Sequence, residues 1–337
     1  MKATVVAPAN IAFIKYWGKS DDALRLPLND SFSMNLSGAQ TTTTVEFSPY
    51  LAEDTIDLIP SSLQTARPRK MYGLDEEEKK RIVAHLNRIR ARAGLTQYAR
   101  IETQNNFPAG AGIASSASGF AALTLAAATA AGLSLSEKEL TVFARLGSGS
   151  AARSIPDGFV QWVAGDSSDT SFAVSVHPSS YWDIRDVIAV VSEEKKEVGS
   201  GTGMDGVLTS PHAHTRIAGI PEKMRNVLAA FAAKDFPRLG KIIEEDCLSM
   251  HHVMQTQVPP LNYWNETTQA IMDAVPAWRK EGLPVYFTID AGPNVHLICE
   301  GKDEEAVFKK VQSIPGVQHV IRNKPAPGAH IIEDHLF

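Results

Sequence analysis

Residues 108–132 carry the sequence PAGAGIASSASGFAALTLAAATAAG, in which a glycine-rich loop runs directly into an alanine-rich segment. Serines at the junction suit a helix N-cap and Gly132 suits a C-cap, so a helix that its neighbours approach closely is predicted from Ser115 onward. Two interpretations of the junction remain open. Either the unpaired N–H groups of the first turn, the helix dipole and the serine hydroxyls form a phosphate site, or the loop simply precedes a capped core helix.

The segments around this helix predict an α+β protein. Strands are expected at 3–6, 41–47 and 99–103, an amphipathic helix at 75–93, and a further helix from Ser134 or Ser136 to about residue 146. The second half predicts helices at 221–233, 236–253, 265–281 and 303–314, packed on one side of a small antiparallel sheet. Because the composition changes near 178–184, we predict two domains, at 1–183 and 184–337.

The composition excludes several classes of protein. Of the 337 residues, 44% are hydrophobic and 21% are charged, which is ordinary globular usage. A formal net charge of −5 argues against a nucleic-acid partner, so any phosphate binding must be local. The two cysteines lack a paired spacing, and no metal site is assigned. We find no pattern of a cleavable signal and no membrane-spanning stretch, so the expected location is cytoplasmic.

Three further segments concentrate polar and charged side chains. They are NIAFIKYWGK at 10–19, GSGSAAR at 147–153 and DAGPN at 290–294, which together supply cations, hydroxyls and one carboxylate. Two apparent nucleotide motifs fail. Gly18-Lys19-Ser20 lacks the first glycine of a Walker loop, because Phe13 stands in its place. The GSGSAA segment follows a predicted helix, whereas a dinucleotide fingerprint follows a strand.

Five motifs occur in the order in which they occur in one known family. PANIAFIKYWGK, LPLNDSFSMNL, NNFPAGAGIASSASGFAAL, GSGSAARSIPDGFVQW and IDAGPN resemble those of mevalonate diphosphate and phosphomevalonate decarboxylases of the GHMP kinase superfamily. The resemblance implies a ribosomal-S5-like N-terminal domain, a ferredoxin-like C-terminal domain and a ligand cleft between them. It also implies an ATP-dependent carboxy-lyase of isoprenoid biosynthesis. This enzyme would use Mg²⁺ and ATP as co-substrate, phosphorylate the C3 hydroxyl of a phosphorylated mevalonate, and release phosphate and CO₂. Family analogy adds a homodimer.

The same resemblance assigns site residues position by position. Asp290 matches the catalytic aspartate, Arg153 the arginine that binds the substrate carboxylate, and Lys15 a lysine near the reacting centre. Contacts to the substrate are implied for Tyr16, Trp17, Lys19, Ser148, Ser150 and Ser200, and contacts to the ATP phosphates for Gly110, Gly112, Ser115 and Ser116. Since a free aspartate titrates near ~3.9, whether Asp290 deprotonates or only orients the hydroxyl stays open.

The chain departs from the family pattern at two places. Pro156 and Asp157 follow the substrate arginine where relatives usually have glycines, and Gly201 stands where threonine or arginine is common. One lost charge-assisted hydrogen bond costs roughly 1.5–3 kcal/mol, enough to weaken diphosphate binding about ten- to hundredfold. We therefore expect conversion of mevalonate 5-phosphate to isopentenyl phosphate, with mevalonate 5-diphosphate to isopentenyl diphosphate as the alternative. A GHMP small-molecule kinase without decarboxylation is a more remote alternative, and the acidic charge disfavours an RNA-binding protein.

Overall fold

The larger of two main sheets is built on two long strands. The computed structural model describes residues 1–59, 74–107, 115–194 and 196–337. Strand β1 (Lys2–Ile14) pairs antiparallel with β4 (Ser31–Ser48), whose run of threonines at 41–44 favours extended backbone. The intervening β2 (Lys19–Asp21) and β3 (Leu26–Pro27) form a separate hairpin.

The remaining strands of the larger sheet come from distant parts of the chain. They are β5 (Thr55–Leu58), β6 (Tyr98–Asn105), β7 (Phe159–Trp162), β8 (Ala173–His177) and β13 (His330–Ile332). The order is β13-β1-β4-β6-β5, and β7 pairs with both β4 and β8. The last strand of the chain therefore lies in the same sheet as the first. The division at 183/184 stays a prediction.

Three helices pack against one face of this sheet, and they begin where the sequence predicts. They are α1 (Glu76–Ala93), α2 (Ser115–Ala130) and α3 (Glu137–Gly147). Helix α1 starts at a capping box in which Asp75 and Glu78 each bond the other's backbone N–H. The alanines of α2 bring its backbone close to β1 and β4, as the predicted close approach requires.

The smaller sheet is antiparallel and has the order β10-β11-β9-β12. Its strands are β9 (Ile184–Val190), β10 (Tyr286–Thr288), β11 (Val295–Glu300) and β12 (His319–Asn323). The helices of this half are α4 (Ser200–Gly203), α5 (Ala213–Ala233), α6 (Phe236–Thr256), α7 (Glu266–Lys280) and α8 (Glu304–Gln312). These elements confirm the expected α+β class.

Both faces of the smaller sheet are covered, whereas the sequence predicts helices on one side. Alternate residues of β9 explain the difference. Ile188 and Val190 join a core with α5, α6 and the larger sheet, and Val187 and Ala189 join a core with α7 and α8. The shared core brings the end of β1 next to α6. No helix in the described part of the chain is long and apolar enough to cross a membrane.

Candidate active site

An ion pair between Lys15 and Asp290 joins the two halves of the chain. Lys15 directly follows β1, and Asp290 lies just beyond β10. Lys15 Nζ is 2.5 Å from Asp290 Oδ1, and the side chains are 1% and 24% exposed. Burial opposes ionisation of Asp290, but Lys15 and then His296 and Arg153 outweigh it and hold the pKa of Asp290 below its usual value. Asp290 is therefore a carboxylate at neutral pH.

Arg153 is a second buried cation near this pair. It lies in a 3-10 turn, Gly149–Ser154, and its Nη1 donates to Ser31 Oγ at 2.8 Å. Its Nε and Nη2 donate to Asn10 Oδ1 at 3.2 and 3.0 Å. Burial lowers the pKa of Arg153 to about 10 against the attraction of Asp290, so the guanidinium stays charged. The acid and the guanidinium influence each other without a direct ion pair.

An irregularity in β1 directs the side chain of Asn10 toward the 3-10 turn that carries Arg153. The β1–β4 register shifts between Pro8 and Asn10, and proline has no N–H to give to the ladder. The Asn10 Nδ2 donates to Ser150 O at 3.1 Å and to Ser154 Oγ at 2.8 Å. One side chain therefore ties the turn that carries Arg153 to the sheet.

Three serine hydroxyls lie together where α2 begins. Ser116 Oγ is 3.2 Å from Ser148 Oγ, which is 3.5 Å from Ser150 Oγ. Ser115 is the first residue of α2. The structure thus brings four of the predicted phosphate and substrate contacts to one helix N-terminus, where the helix dipole favours anions.

Glycine is required where α3 meets α2. A Cβ on Gly147 would lie 2.2 Å from the ring of Phe120, so a larger residue would push the serine turn away from the helix start. The other predicted glycines of the phosphate loop, Gly110 and Gly112, lie outside the described residues.

Tyr16 and Lys19 lie on the same segment as Lys15. The Tyr16 ring packs edge-on against Trp162 with centroids 4.7 Å apart, and burial raises the pKa of Tyr16 to about 12, so the phenol keeps its proton. Lys19 Nζ contacts Asp22 and lies 3.1 Å from Asp205 Oδ1. Both side chains remain candidates for the phosphate end of the substrate.

Trp17 lies in the core, and its expected contact with the substrate stays a prediction. The residue is 2% exposed and packs with Met204, Val207 and Met250. Its Nε1 donates to Gln257 Oε1 at 3.2 Å. Protein groups therefore contact both the ring and the N–H of Trp17.

Ser200 begins the short helix α4 and is partly exposed. Its contact with the substrate stays a prediction.

The sequence analysis missed a pair of arginines beside these residues. Arg81 Nη2 donates to Gly147 O at 3.3 Å, and the guanidinium lies 5.2 Å from the Phe120 centroid. Partial desolvation and then the charge of Arg25 lower the pKa of Arg81, and Arg25 also acts on Tyr16. Within the described ranges neither arginine forms an ion pair with a carboxylate. The sequence signal for Arg81 was a cation in the first turns of the amphipathic helix α1. An arginine on the solvent-exposed face of a helix gives the same pattern, so the signal does not indicate a site.

Lys196 is another cation that no motif indicated. Its Nζ donates to Ala291 O at 2.7 Å, next to the carboxylate of Asp290. Burial lowers the pKa of Lys196, and Asp290 opposes the shift. Lys196 therefore adds positive charge near Asp290.

The donors present suit a nucleotide better than a protein-bound metal cluster. Over the described residues, no group of three or more His, Cys, Asp and Glu side chains could hold a metal ion. Mg²⁺ in phosphoryl-transfer sites is usually held by one or two carboxylates and the substrate phosphates. Serine hydroxyls at a helix start fit phosphate oxygens, so these residues fit a nucleotide that carries its own Mg²⁺.

Comparison with known proteins identifies both halves of the chain. Residues 7–173 match a diphosphomevalonate decarboxylase-like N-terminal domain, and residues 186–327 match a mevalonate 5-diphosphate decarboxylase C-terminal domain. Diphosphomevalonate decarboxylase of Candida albicans is 35% identical over 97% of this chain and 93% of its own. Mevalonate diphosphate decarboxylase from Staphylococcus aureus is 37% identical, with a TM-score of 0.90 over 98% of both chains.

A solved complex, described as MDDEF with MVAPP, AMPPCP and magnesium, is 37% identical, with a TM-score of 0.89 over 99% of both chains. Its ATP analogue and magnesium agree with the expected ATP and Mg²⁺. The matches confirm the resemblance, the fold class and the enzyme class, an ATP-dependent carboxy-lyase. The chain therefore belongs to the diphosphomevalonate decarboxylase family of the GHMP superfamily.

Proposed function

We propose that this protein converts mevalonate 5-diphosphate and ATP to isopentenyl diphosphate, ADP, phosphate and CO₂. The observation that carries the proposal is the buried ion pair between Lys15 and Asp290, with Arg153 nearby. The serine hydroxyls at the start of α2 add a place for phosphate groups. The names of the relatives and the complex with MVAPP favour the diphosphate over the monophosphate that the sequence analysis preferred.

The reaction needs a leaving group at C3, because hydroxide leaves poorly. ATP supplies the phosphoryl group that turns the C3 oxygen into a leaving group. We place the C3 hydroxyl against Asp290, whose carboxylate accepts its hydrogen bond and takes its proton as the oxygen attacks phosphorus. The C3–O bond then breaks with release of phosphate, while the C1–C2 electrons form the C2=C3 double bond and CO₂ leaves.

Arg153 is suited to the substrate carboxylate. A guanidinium has five N–H groups, and three of those in Arg153 are used by Ser31 and Asn10. Two therefore remain without a partner among the described residues, which is the number that a bidentate carboxylate accepts. Because its protein partners are neutral, the charge of Arg153 is left for the substrate.

Arginines outside the known motifs replace the charge that Gly201 does not supply. Arg25 follows Leu24, whose carbonyl accepts from Arg145 Nε at 3.0 Å, so the hairpin is fixed beside α3. Its φ of 50° is a left-handed backbone conformation, and its charge reaches Tyr16 and Arg81. Asp22 lies near Arg25, and Asp75 and Glu78 lie near Arg81, but neither arginine forms an ion pair among the described residues. Both charges are therefore available to a bound anion, and a diphosphate is such an anion.

The decisive experiment compares the two substrates directly. ADP and CO₂ are measured in parallel with mevalonate 5-phosphate and 5-diphosphate, and kcat/KM is expected to be higher for the diphosphate. A higher kcat/KM for the monophosphate would refute the proposal. Formation of ADP without CO₂ would show a kinase.

A variant tests the arginine argument separately. Arg81→Gln is expected to lower kcat/KM for the diphosphate roughly 10- to 100-fold, since a charge-assisted hydrogen bond is worth about 1.5–3 kcal/mol. The effect on the monophosphate should be smaller. Arg322→Gln is the matched control, because Arg322 pairs with Glu304 and Glu305 on the smaller sheet. Equal losses on both substrates would contradict a role at the terminal phosphate.

The expected homodimer and the expected cytoplasmic location stay predictions. Sedimentation of the purified protein would test the first, and fractionation of the source cells would test the second.

A further inference from the structure

The backbone of Lys15 is held by side chains from three distant segments. The β1–β4 ladder ends at Ile14, so the main-chain groups of Lys15 need other partners. Its N–H donates to Asp246 Oδ2 at 2.7 Å. Its carbonyl accepts from Asn29 Nδ2 at 3.1 Å and from Arg216 Nη2 at 3.3 Å. The lysine is therefore fixed at its backbone as well as at its ammonium.

Asp246 is the centre of this arrangement. It lies in α6 with no exposed surface, and Arg216 donates to both of its oxygens, at 2.8 and 3.0 Å. Lys223 Nζ lies 3.1 Å from Oδ1. Burial opposes ionisation, but Arg216 and Lys223 outweigh it and hold the pKa of Asp246 below its usual value. A buried carboxylate with this many donors has one well-defined position.

The same helix also holds the residue before Asp290. Ile289 N–H donates to Cys247 Sγ at 3.1 Å, and the Cys247 thiol lies 3.7 Å from Ile289 O. His251 Nε2 lies 3.2 Å from the same carbonyl. Burial lowers the pKa of His251 to about 4, so the imidazole is neutral and its Nε2–H donates.

We propose that helix α6 is a common support for the Lys15–Asp290 pair, with Asp246 positioning Lys15 and Cys247 and His251 positioning Asp290. Helix α6 then fixes the positions of both Lys15 and Asp290, although these residues are far apart in the chain. None of the three α6 residues touches the reacting atoms, so each is a positioning residue. The kinetic part of the test rests on the proposed function.

Two cysteines provide a matched pair of variants. Cys247→Ala removes both contacts with Ile289, and Cys299→Ala removes an equally buried thiol from β11. We expect Cys247→Ala to lower kcat roughly 10- to 100-fold at nearly unchanged KM, since a misplacement of about 1 Å can cost that much. Cys299→Ala should leave kcat near the wild-type value. Cys247→Ser should recover most of the activity, because a hydroxyl can donate and accept at the same place.

The pH profile distinguishes positioning from general loss of structure. The groups that face Asp290 are Lys15, Arg153, His296, Lys196 and His251, and the cysteine variants change none of them chemically. If Asp290 moves away from Lys15, its pKa rises, and the acidic limb of the kcat profile moves to higher pH. A merely destabilised protein would keep the wild-type limb.

A second variant and a structure complete the test. Asp246→Asn keeps the shape but removes the charge, and where it folds it should lower kcat and move the acidic limb in the same direction. Crystal structures of the cysteine variants should show a longer Lys15 Nζ–Asp290 Oδ1 distance only in Cys247→Ala. That readout holds even if the wild-type protein proves not to release CO₂, which would refute the proposed function alone. An unchanged distance, or equal effects of the two alanine variants, would overturn the inference.

Discussion

Replacing Asp290 with asparagine removes a carboxylate that faces both Lys15 and Arg153. The side chain keeps its size, but it no longer accepts a proton or neutralises Lys15. A positioned acid–base group contributes about 10²–10⁴-fold, so kcat should fall by that factor, which corresponds to roughly 3–5 kcal/mol in the barrier.

The same substitution has a calculable effect on stability. Lys15 is 1% exposed, and removal of one partner of a buried pair costs about 3–5 kcal/mol. Because the Asp290 side chain is 24% exposed, water screens part of this loss, and we expect about 2–3 kcal/mol. The affinity for ATP should change little, since the predicted phosphate contacts lie on α2 and the serine turn.

Three measurements on one preparation check these values. CO₂ release gives kcat, calorimetric titration gives the ATP affinity, and urea unfolding gives the free energy of unfolding. Asp273→Asn is the control, because Asp273 is an exposed carboxylate on α7. If Asp290→Asn kept a tenth or more of the wild-type CO₂ release, Asp290 would lose its assigned role. A large drop in ATP affinity would show that the nucleotide site had been misplaced.

Other parts of the structure give three simpler predictions. Gly147→Ala should destabilise the protein by about 1–3 kcal/mol in urea unfolding, because its Cβ would meet Phe120, whereas Gly119→Ala meets nothing within 4 Å and should stabilise α2 by about 0.5–1 kcal/mol. Trp17→Phe should lower stability by about 1–3 kcal/mol without a change in either KM, and a raised KM would return Trp17 to the substrate wall. Burial raises the pKa of Cys247 to about 11, so this thiol should resist a thiol reagent at pH 8 until the protein is unfolded, and rapid labelling of the native protein would contradict its burial.

The sequence predicted features that depend on residues close together in the chain. The capping boxes at Asp75 with Glu78 and at Ser136 with Glu139 need partners three residues apart, and both helix starts are confirmed. Helix α5 was predicted to begin near Pro221. It begins eight residues earlier, at Ala213, and the roughly two added turns carry Arg216, which pairs with Asp246 on α6.

Features that depend on distant partners could not be predicted in this way. Lys15 is 231 residues from Asp246 and 275 residues from Asp290, and no local pattern encodes such contacts. The inference from Gly201 has the same weakness, and the comparisons favour its alternative, the diphosphate. It treated one position as the source of charge at the terminal phosphate, whereas we propose that Arg25 and Arg81, from other segments, supply that charge. Charge in a site is a sum over segments, so one missing side chain does not determine the substrate.

The pairing of Asp290 with Lys15 limits how strong a base Asp290 can be. A general base is most effective when its pKa lies near the working pH, and Lys15 holds the pKa of Asp290 below its usual value. In the proposed reaction, proton transfer then follows the rise in acidity of the C3 oxygen as its bond to phosphorus forms, and we expect Asp290 to act chiefly by orienting the hydroxyl. At saturating substrate, kcat should therefore stay constant as the pH falls from 7.5 to about 5, because Asp290 remains ionised over that range. A fall in kcat with an apparent pKa between 6 and 7, present in the wild type and absent in Asp290→Asn, would show that Asp290 is a tuned base and that this argument is wrong.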